Sequence, residues 1–209
     1  TDAYNETCGQ IGNLMWNQRM LLVDLQACYA DMVEWEIYNG ILPGMNLEGD
    51  AWWYRNPLRR DAGDVPGGLN SLAEREPPGQ QRICCPTNVL RTLAQFQNYV
   101  YTLDNEGVWI HQYGASKAQL RLSSGETFDL EQKTDYPWDG HITIMVGNAP
   151  DSATALRVRI PGWAKDPVLK INGQTVDNEI QSGTYADLER VWKNDDRIDL
   201  YFPMSPRLL

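Results

Sequence analysis

Near residue 102 the period of the chain changes, and that change bounds the folds open to it. Upstream, apolar residues recur at three- and four-residue spacing, the mark of helices with one buried face. Segments 9–22, 24–38 and 86–101 read as helical on this ground, with Ile11, Leu14, Met15 and Leu21 on one side of the first. Downstream, short β-rich runs alternate with turns at 108–113, 118–122, 127–133, 141–146, 155–160, 168–171, 184–188 and 197–202. Their spacing and alternation predict an antiparallel β-sandwich. Asn172-Gly173 is a hairpin signal between two of its strands. Turn residues at Asn39-Gly40, Pro43-Gly44 and Glu48-Gly49-Asp50 separate the helical runs, and the Gly- and Pro-rich stretch 63–81 predicts a long surface loop. The expected division is therefore 1–102, helical, and 103–209, sandwich. Three helices are too few to enclose a site, so the first part reads as an arc of a larger helical array. The chain begins without Met and directly at a candidate ligand motif, and we expect a fragment of something longer.

Composition narrows the functions. Net charge is −10 over 209 residues, which argues against a nucleic-acid surface, since those are basic. No stretch is long and apolar enough to span a membrane, and Thr1-Asp2-Ala3-Tyr4 lacks the charged start and apolar run of a signal peptide. Eight Trp and ten Tyr against three Phe fit ring-lined carbohydrate surfaces, or rings that fill core and edge positions.

The sulfur is where the chemistry lies. Asn5-Glu6-Thr7-Cys8 and, far downstream, Cys84-Cys85-Pro86-Thr87-Asn88 together offer three thiols and a carboxylate, a plausible four-ligand set for zinc. Buried core cysteines are the alternative, and Cys28, with apolar neighbours at helical spacing, is expected to be one. Pro86 is favoured in a first helical turn, which puts Cys84 and Cys85 at a helix N-terminus. There the unpaired N–H groups and the dipole favour an anion, so the thiol pKa is expected to fall. Glu6 and Cys8 would converge on one ion if they lie in the extended approach to the first helix.

The ordered motifs resemble glycoside hydrolase family 127, the β-L-arabinofuranosidases, over nearly the whole chain. Those that carry the resemblance in the helical half are Ala3-Tyr4-Asn5-Glu6-Thr7-Cys8, Gly12-Asn13-Leu14, Asn17-Gln18-Arg19-Met20, Tyr29-Ala30-Asp31 to Glu34, Tyr38-Asn39-Gly40, Tyr54-Arg55-Asn56-Pro57-Leu58 and Cys84-Cys85-Pro86-Thr87-Asn88. In the second half they are Thr134 to Gly140, Arg159-Ile160-Pro161-Gly162-Trp163 and Val191-Trp192. The resemblance implies the C-terminal helices of an (α/α)6 catalytic barrel followed by an antiparallel β-sandwich. It further implies Zn2+ held by Glu6, Cys8, Cys84 and Cys85, and Cys84 as the nucleophile of a retaining hydrolysis. Glu34 and Tyr54 match positions that contact the sugar, an L-arabinofuranoside or related pentofuranose. The general acid/base it implies is a glutamate upstream of Glu6, before Thr1. Glu36, Glu48 and Asp50 are the other carboxylates at hand, and Gln80-Gln81-Arg82-Ile83 departs from the family's usual approach to the cysteines.

Two rivals predict different outcomes. A structural zinc site would close all four ligands around the ion and leave no reactive thiol. A non-catalytic carbohydrate-binding module would use Trp138 or Trp163 as a stacking platform on the sandwich. His111 and His141 both fall in the sandwich half and read as structural or surface residues. A homodimer is compatible with this reading, and thiols on zinc favour a reducing, cytoplasmic compartment.

Overall fold

The computed structural model describes residues 5–55, 84–176 and 180–206. The expected loop over 63–81 and the approach 80–83 lie outside the described residues. The chain divides into two compact units, Thr1–Leu25 with Met32–Asn98, and Gln26–Asp31 with Tyr99–Leu209.

In the first unit, helix α1 spans Thr7–Asp24 and buries Ile11, Leu14, Asn17, Gln18 and Leu21, one face at three- and four-residue spacing. It stops because Leu25 turns left-handed (φ 50°), its N–H closing on the Leu21 carbonyl. The stretch expected to be helical over 24–38 therefore starts later, as α2 over Ala27–Trp35. It then widens into a π-helical turn, Glu36–Ile41, and ends in a 3-10 turn, Leu42–Gly44. Helix α3 spans Cys84–Ala94. It buries Cys85, Val89 and Thr92 and packs on α1, while Leu90 and Leu93 are exposed. Cys28 is also exposed rather than in the core, because the period of α2 turns Ala27, Ala30 and Val33 inward instead.

In the second unit, ten strands among the described residues form two sheets: β1 (Tyr101–Leu103), β2 (Gly107–Ile110), β3 (Ser116–Arg121), β4 (Thr127–Thr134), β5 (His141–Val146), β6 (Thr154–Ile160), β7 (Val168–Ile171), β8 (Gln174–Thr175), β9 (Thr184–Arg190) and β10 (Arg197–Tyr201). One sheet has the order β1-β2-β6-β9 and the other β3-β4-β5-β10-β7-β8. The alternating strands β4, β5 and β10 each turn one set of side chains inward, among them Phe128, Ile142, Ile144, Ile198 and Leu200. The pairing is antiparallel except between β2 and β6, which run parallel. The hairpin at Asn172-Gly173 forms as expected, both residues having positive φ. Strand β6 is buried along its whole length, including two arginines. Arg157 reaches Asp104, Glu106 and Asp187 and lies over the Trp109 ring. Arg159, 0% exposed, pairs with Asp31 and donates to the His111 carbonyl, while Asp31 also accepts the Gly162 N–H at 2.9 Å. The segment Gln26–Asp31 is thereby fastened to the unit with which it packs.

Candidate metal centre

The two half-sites meet inside the first unit. Glu6 is the N-cap of α1, with extended backbone (φ −80°, ψ 137°) and no cap bond from its side chain. It pairs with Arg55 as an isolated antiparallel bridge. The next residue, Thr7, donates its N–H to the Tyr54 carbonyl (3.0 Å) and its hydroxyl to the Trp53 carbonyl (2.7 Å). Residues 53–55 therefore pin the start of α1 and present Cys8 in its first turn. Cys84 and Cys85 are the first residues of α3, so both half-sites lie at helix starts.

Cys8 Sγ lies 3.3 Å from Cys85 Sγ, and Cys84 Sγ lies 3.8 Å from Cys85 Sγ. A carboxylate oxygen of Glu6 joins them, all four donor atoms lying within 4.8 Å of one another. With Zn–S bonds of about 2.3 Å, tetrahedral ligand sulfurs stand roughly 3.8 Å apart. Both the donor set and its spacing fit zinc. Cys85 is 1% exposed and Cys8 half-buried, but Cys84 is exposed. Asn88, one turn into α3, donates its side-chain N–H to Cys8 Sγ at 3.2 Å. It stands beside the sulfurs through helical i+3 and i+4 spacing from Cys85 and Cys84, a relation legible in the sequence but left unassigned there.

The expected fall in thiol pKa does not hold for Cys8 and Cys85. Burial pushes Cys8 up, against the Asn88 and Cys85 hydrogen bonds, and pushes Cys85 far up, with Cys8 adding to the rise. Desolvation outweighs the helix N-terminus here, and a bound cation is what would reverse the sign.

The remaining candidates separate. Tyr54 reaches the cluster through its carbonyl, 3.9 Å from Cys85 Sγ. Glu34 is buried on α2, outside the four-donor group. Glu48 and Asp50 are exposed and accept hydrogen bonds from Asn46. Glu36 is buried, and Asn13 holds its Oε1. His111 is structural, buried between the Tyr185 hydroxyl (2.6 Å) and the Thr102 hydroxyl (2.8 Å), whereas His141 is exposed and stacked on Tyr201. Trp163 sets its edge against Phe202, but Trp138 is 91% exposed.

Comparison with known proteins places these two halves in one context. Residues 1–98 match the family model "Beta-L-arabinofuranosidase, GH127 catalytic domain", and residues 107–204 match "Beta-L-arabinofuranosidase, GH127 middle domain". A non-reducing end beta-L-arabinofuranosidase of Bifidobacterium longum subsp. longum is 33% identical over 192 residues, 86% of this chain and 28% of that protein. A solved glycoside hydrolase superposes with a TM-score of 0.89 at 40% identity, covering 97% of this chain and 33% of that one. A GH127 beta-L-arabinofuranosidase from Geobacillus stearothermophilus T6 does so with 0.87 at 35% identity, covering 97% and 32%. The chain thus spans about a third or less of the length of these relatives.

Proposed function

The chain belongs to glycoside hydrolase family 127, and on that premise we propose that the protein containing it is a zinc-dependent, retaining exo-glycosidase acting on terminal β-L-arabinofuranosides or related pentofuranosides. Residues 1–102 would be the last helices of an (α/α)6 catalytic barrel. The observation that carries this reading is the asymmetry of the thiol cluster: Cys85 is buried and Cys8 half-buried, while Cys84 alone of the three is exposed. A closed structural site has no use for an open thiol, and a nucleophile requires one.

Glu6, Cys8, Cys84 and Cys85 are the residues that would hold the ion. Zinc, when bound, supplies the positive charge that keeps these thiols ionised at neutral pH. Cys84 Sγ then attacks the anomeric carbon. The S–C bond forms as the glycosidic C–O bond breaks, and the leaving oxygen takes a proton from a general acid. Water next attacks the same carbon and gives its proton to the conjugate base of that acid, the C–S bond breaks, and the thiolate returns with configuration retained. Asn88 orients Cys8 through its hydrogen bond, Glu34 and Tyr54 serve sugar contact, and the general acid is a glutamate upstream of Glu6. Thiols that must stay reduced favour a cytoplasmic setting.

The test is a trapping experiment on the full protein. After rapid quench with an arabinofuranosyl substrate, a pentosyl mass increment on the Cys84 peptide is expected, with the β-anomer as first product. An inverted product, or a labelled residue other than Cys84, would sink the reading. Trp138, fully presented to solvent, favours a second reading in which the sandwich itself binds sugar. Binding that survives Cys84→Ser and metal removal, but not Trp138→Ala, would support it.

A further inference from the structure

Glu36 is a buried carboxylate of the helical unit that the mechanism leaves unused. It opens the π-helical turn after α2 and is 4% exposed, and burying such a group is costly unless it is hydrogen-bonded. Its partners lead back to the start of α1. Asn13 donates its side-chain N–H to Glu36 Oε1, and Asn17 in turn holds Asn13 Oδ1 at 3.0 Å. The Gln10 amide lies between Glu36 Oε2 and the side chain of Asn5, the residue immediately before Glu6. That amide bridges in either sense. A protonated Glu36 donates to Gln10, which donates to Asn5, while an ionised Glu36 reverses the direction of the same chain. Burial raises the Glu36 pKa, against the Asn13 hydrogen bond. Room for the bridge comes from Gly40, where a Cβ would stand 2.7 Å from Gln10 Oε1 and 2.8 Å from Glu36 Oε2. At the far end, Glu6 has no cap bond from its own side chain to fix it.

We infer that Glu36 is a positioning residue: with Gln10 and Asn5 it forms a hydrogen-bonded strut that holds the extended backbone at Asn5-Glu6, and so aims the Glu6 carboxylate at the three sulfurs. The π-helical turn is what brings Glu36 and Gly40 together over Gln10, a use typical of such turns. The inference rests on the reading of Glu6, Cys8, Cys84 and Cys85 as a metal site.

Zinc affinity of the full protein, measured by competition with a chromophoric chelator, tests it. Glu36→Gln keeps both an acceptor for Asn13 and a donor for Gln10, and is expected to bind within about threefold of wild type. Glu36→Leu keeps volume but breaks the strut, and is expected to lose about 10- to 100-fold, the usual effect of removing a residue that orients a ligand. Should Glu36→Leu not fold, Asn5→Ala breaks the strut at its other end and is expected to lose about tenfold. Loaded with Co2+, the strut variants are expected to keep the thiolate charge-transfer band and change the d–d envelope, because only the carboxylate ligand is displaced. Strut variants with wild-type zinc affinity and an unchanged cobalt spectrum would overturn the inference and leave the metal site standing. Wild-type protein without zinc affinity would overturn the metal reading itself, and the inference with it.

Discussion

Cys84 and Cys85 are neighbours in sequence and opposites in environment, and the difference decides their chemistry. Exposure makes Cys84 the thiol a reagent can reach, while 1% exposure and a raised pKa shield Cys85. In metal-stripped protein, alkylation followed by peptide mass spectrometry is expected to label Cys84 first, with Cys85 lagging more than about tenfold. Equal rates would remove the asymmetry on which the nucleophile assignment stands. The four-donor cluster was legible because Glu6, Cys8, Cys84 and Cys85 are rare donor types in compact motifs. The sign of the thiol shift was not, because the helix N-terminus is visible in sequence and the depth of burial is not. Cys28 was misplaced for a related reason, since its apolar neighbours did not reveal which face α2 buries. His111 supplies a second test at this scale. Burial, with the Arg159 charge adding to it, lowers its pKa from 6.5 to about 3. Between those values the folded form binds fewer protons than the unfolded, so this stability is fully present above about pH 6.5 and is lost as pH falls towards 3. The unfolding free energy from chemical denaturation is expected to drop across that window by up to about 1.4 kcal/mol per pH unit from this group. His111→Gln is expected to flatten that share of the slope, and an unchanged slope would contradict the assignment.

Elements are where the sequence pattern was most and least informative. The eight strands expected in the second half all form, with ends shifted by a few residues at most, because inward Ile, Leu and Val alternating with polar residues mark a strand with one buried face. The short strand β1 carries too few residues for a period, and β8 was marked only by the Asn172-Gly173 turn that precedes it. The parallel pairing of β2 with β6 was invisible, since an apolar run does not encode the direction of its neighbour. The motif ending at Gly140 has a structural cause. Its carbonyl accepts the Phe202 N–H at 3.0 Å, and a Cβ at this position would collide with the Phe202 carbonyl. Gly140→Ala must displace backbone, and is expected to cost about 2 kcal/mol or more in chemical denaturation. A cost within experimental error would mean the turn yields. Asp31→Ala removes the carboxylate paired with the wholly buried Arg159 guanidinium, and is expected to destabilise by about 3–5 kcal/mol. Asp31→Asn, which keeps an acceptor for Gly162, should recover part of that loss.

For the molecule as a whole, the central fact is that a carboxylate and three sulfurs from opposite ends of the helical half arrive at one place. Their convergence was assumed in reading the motifs, and the strip 53–55 that enforces it, through Thr7, gave no sequence signal because its contribution is backbone carbonyls. The chain spans about a third or less of the length of its relatives, and the isolated 209-residue chain is expected to show no turnover of an arabinofuranoside that the full protein cleaves. Turnover by the isolated chain would place the proton donor within it. The measurement that bears most directly on a zinc-held Cys84 is the metal content of the purified full protein, alongside Cys8→Ser and Cys84→Ser. About one zinc per chain, lost or sharply weakened in both variants, is the expected result. Well-folded wild-type protein that carries no zinc and takes none up would contradict it.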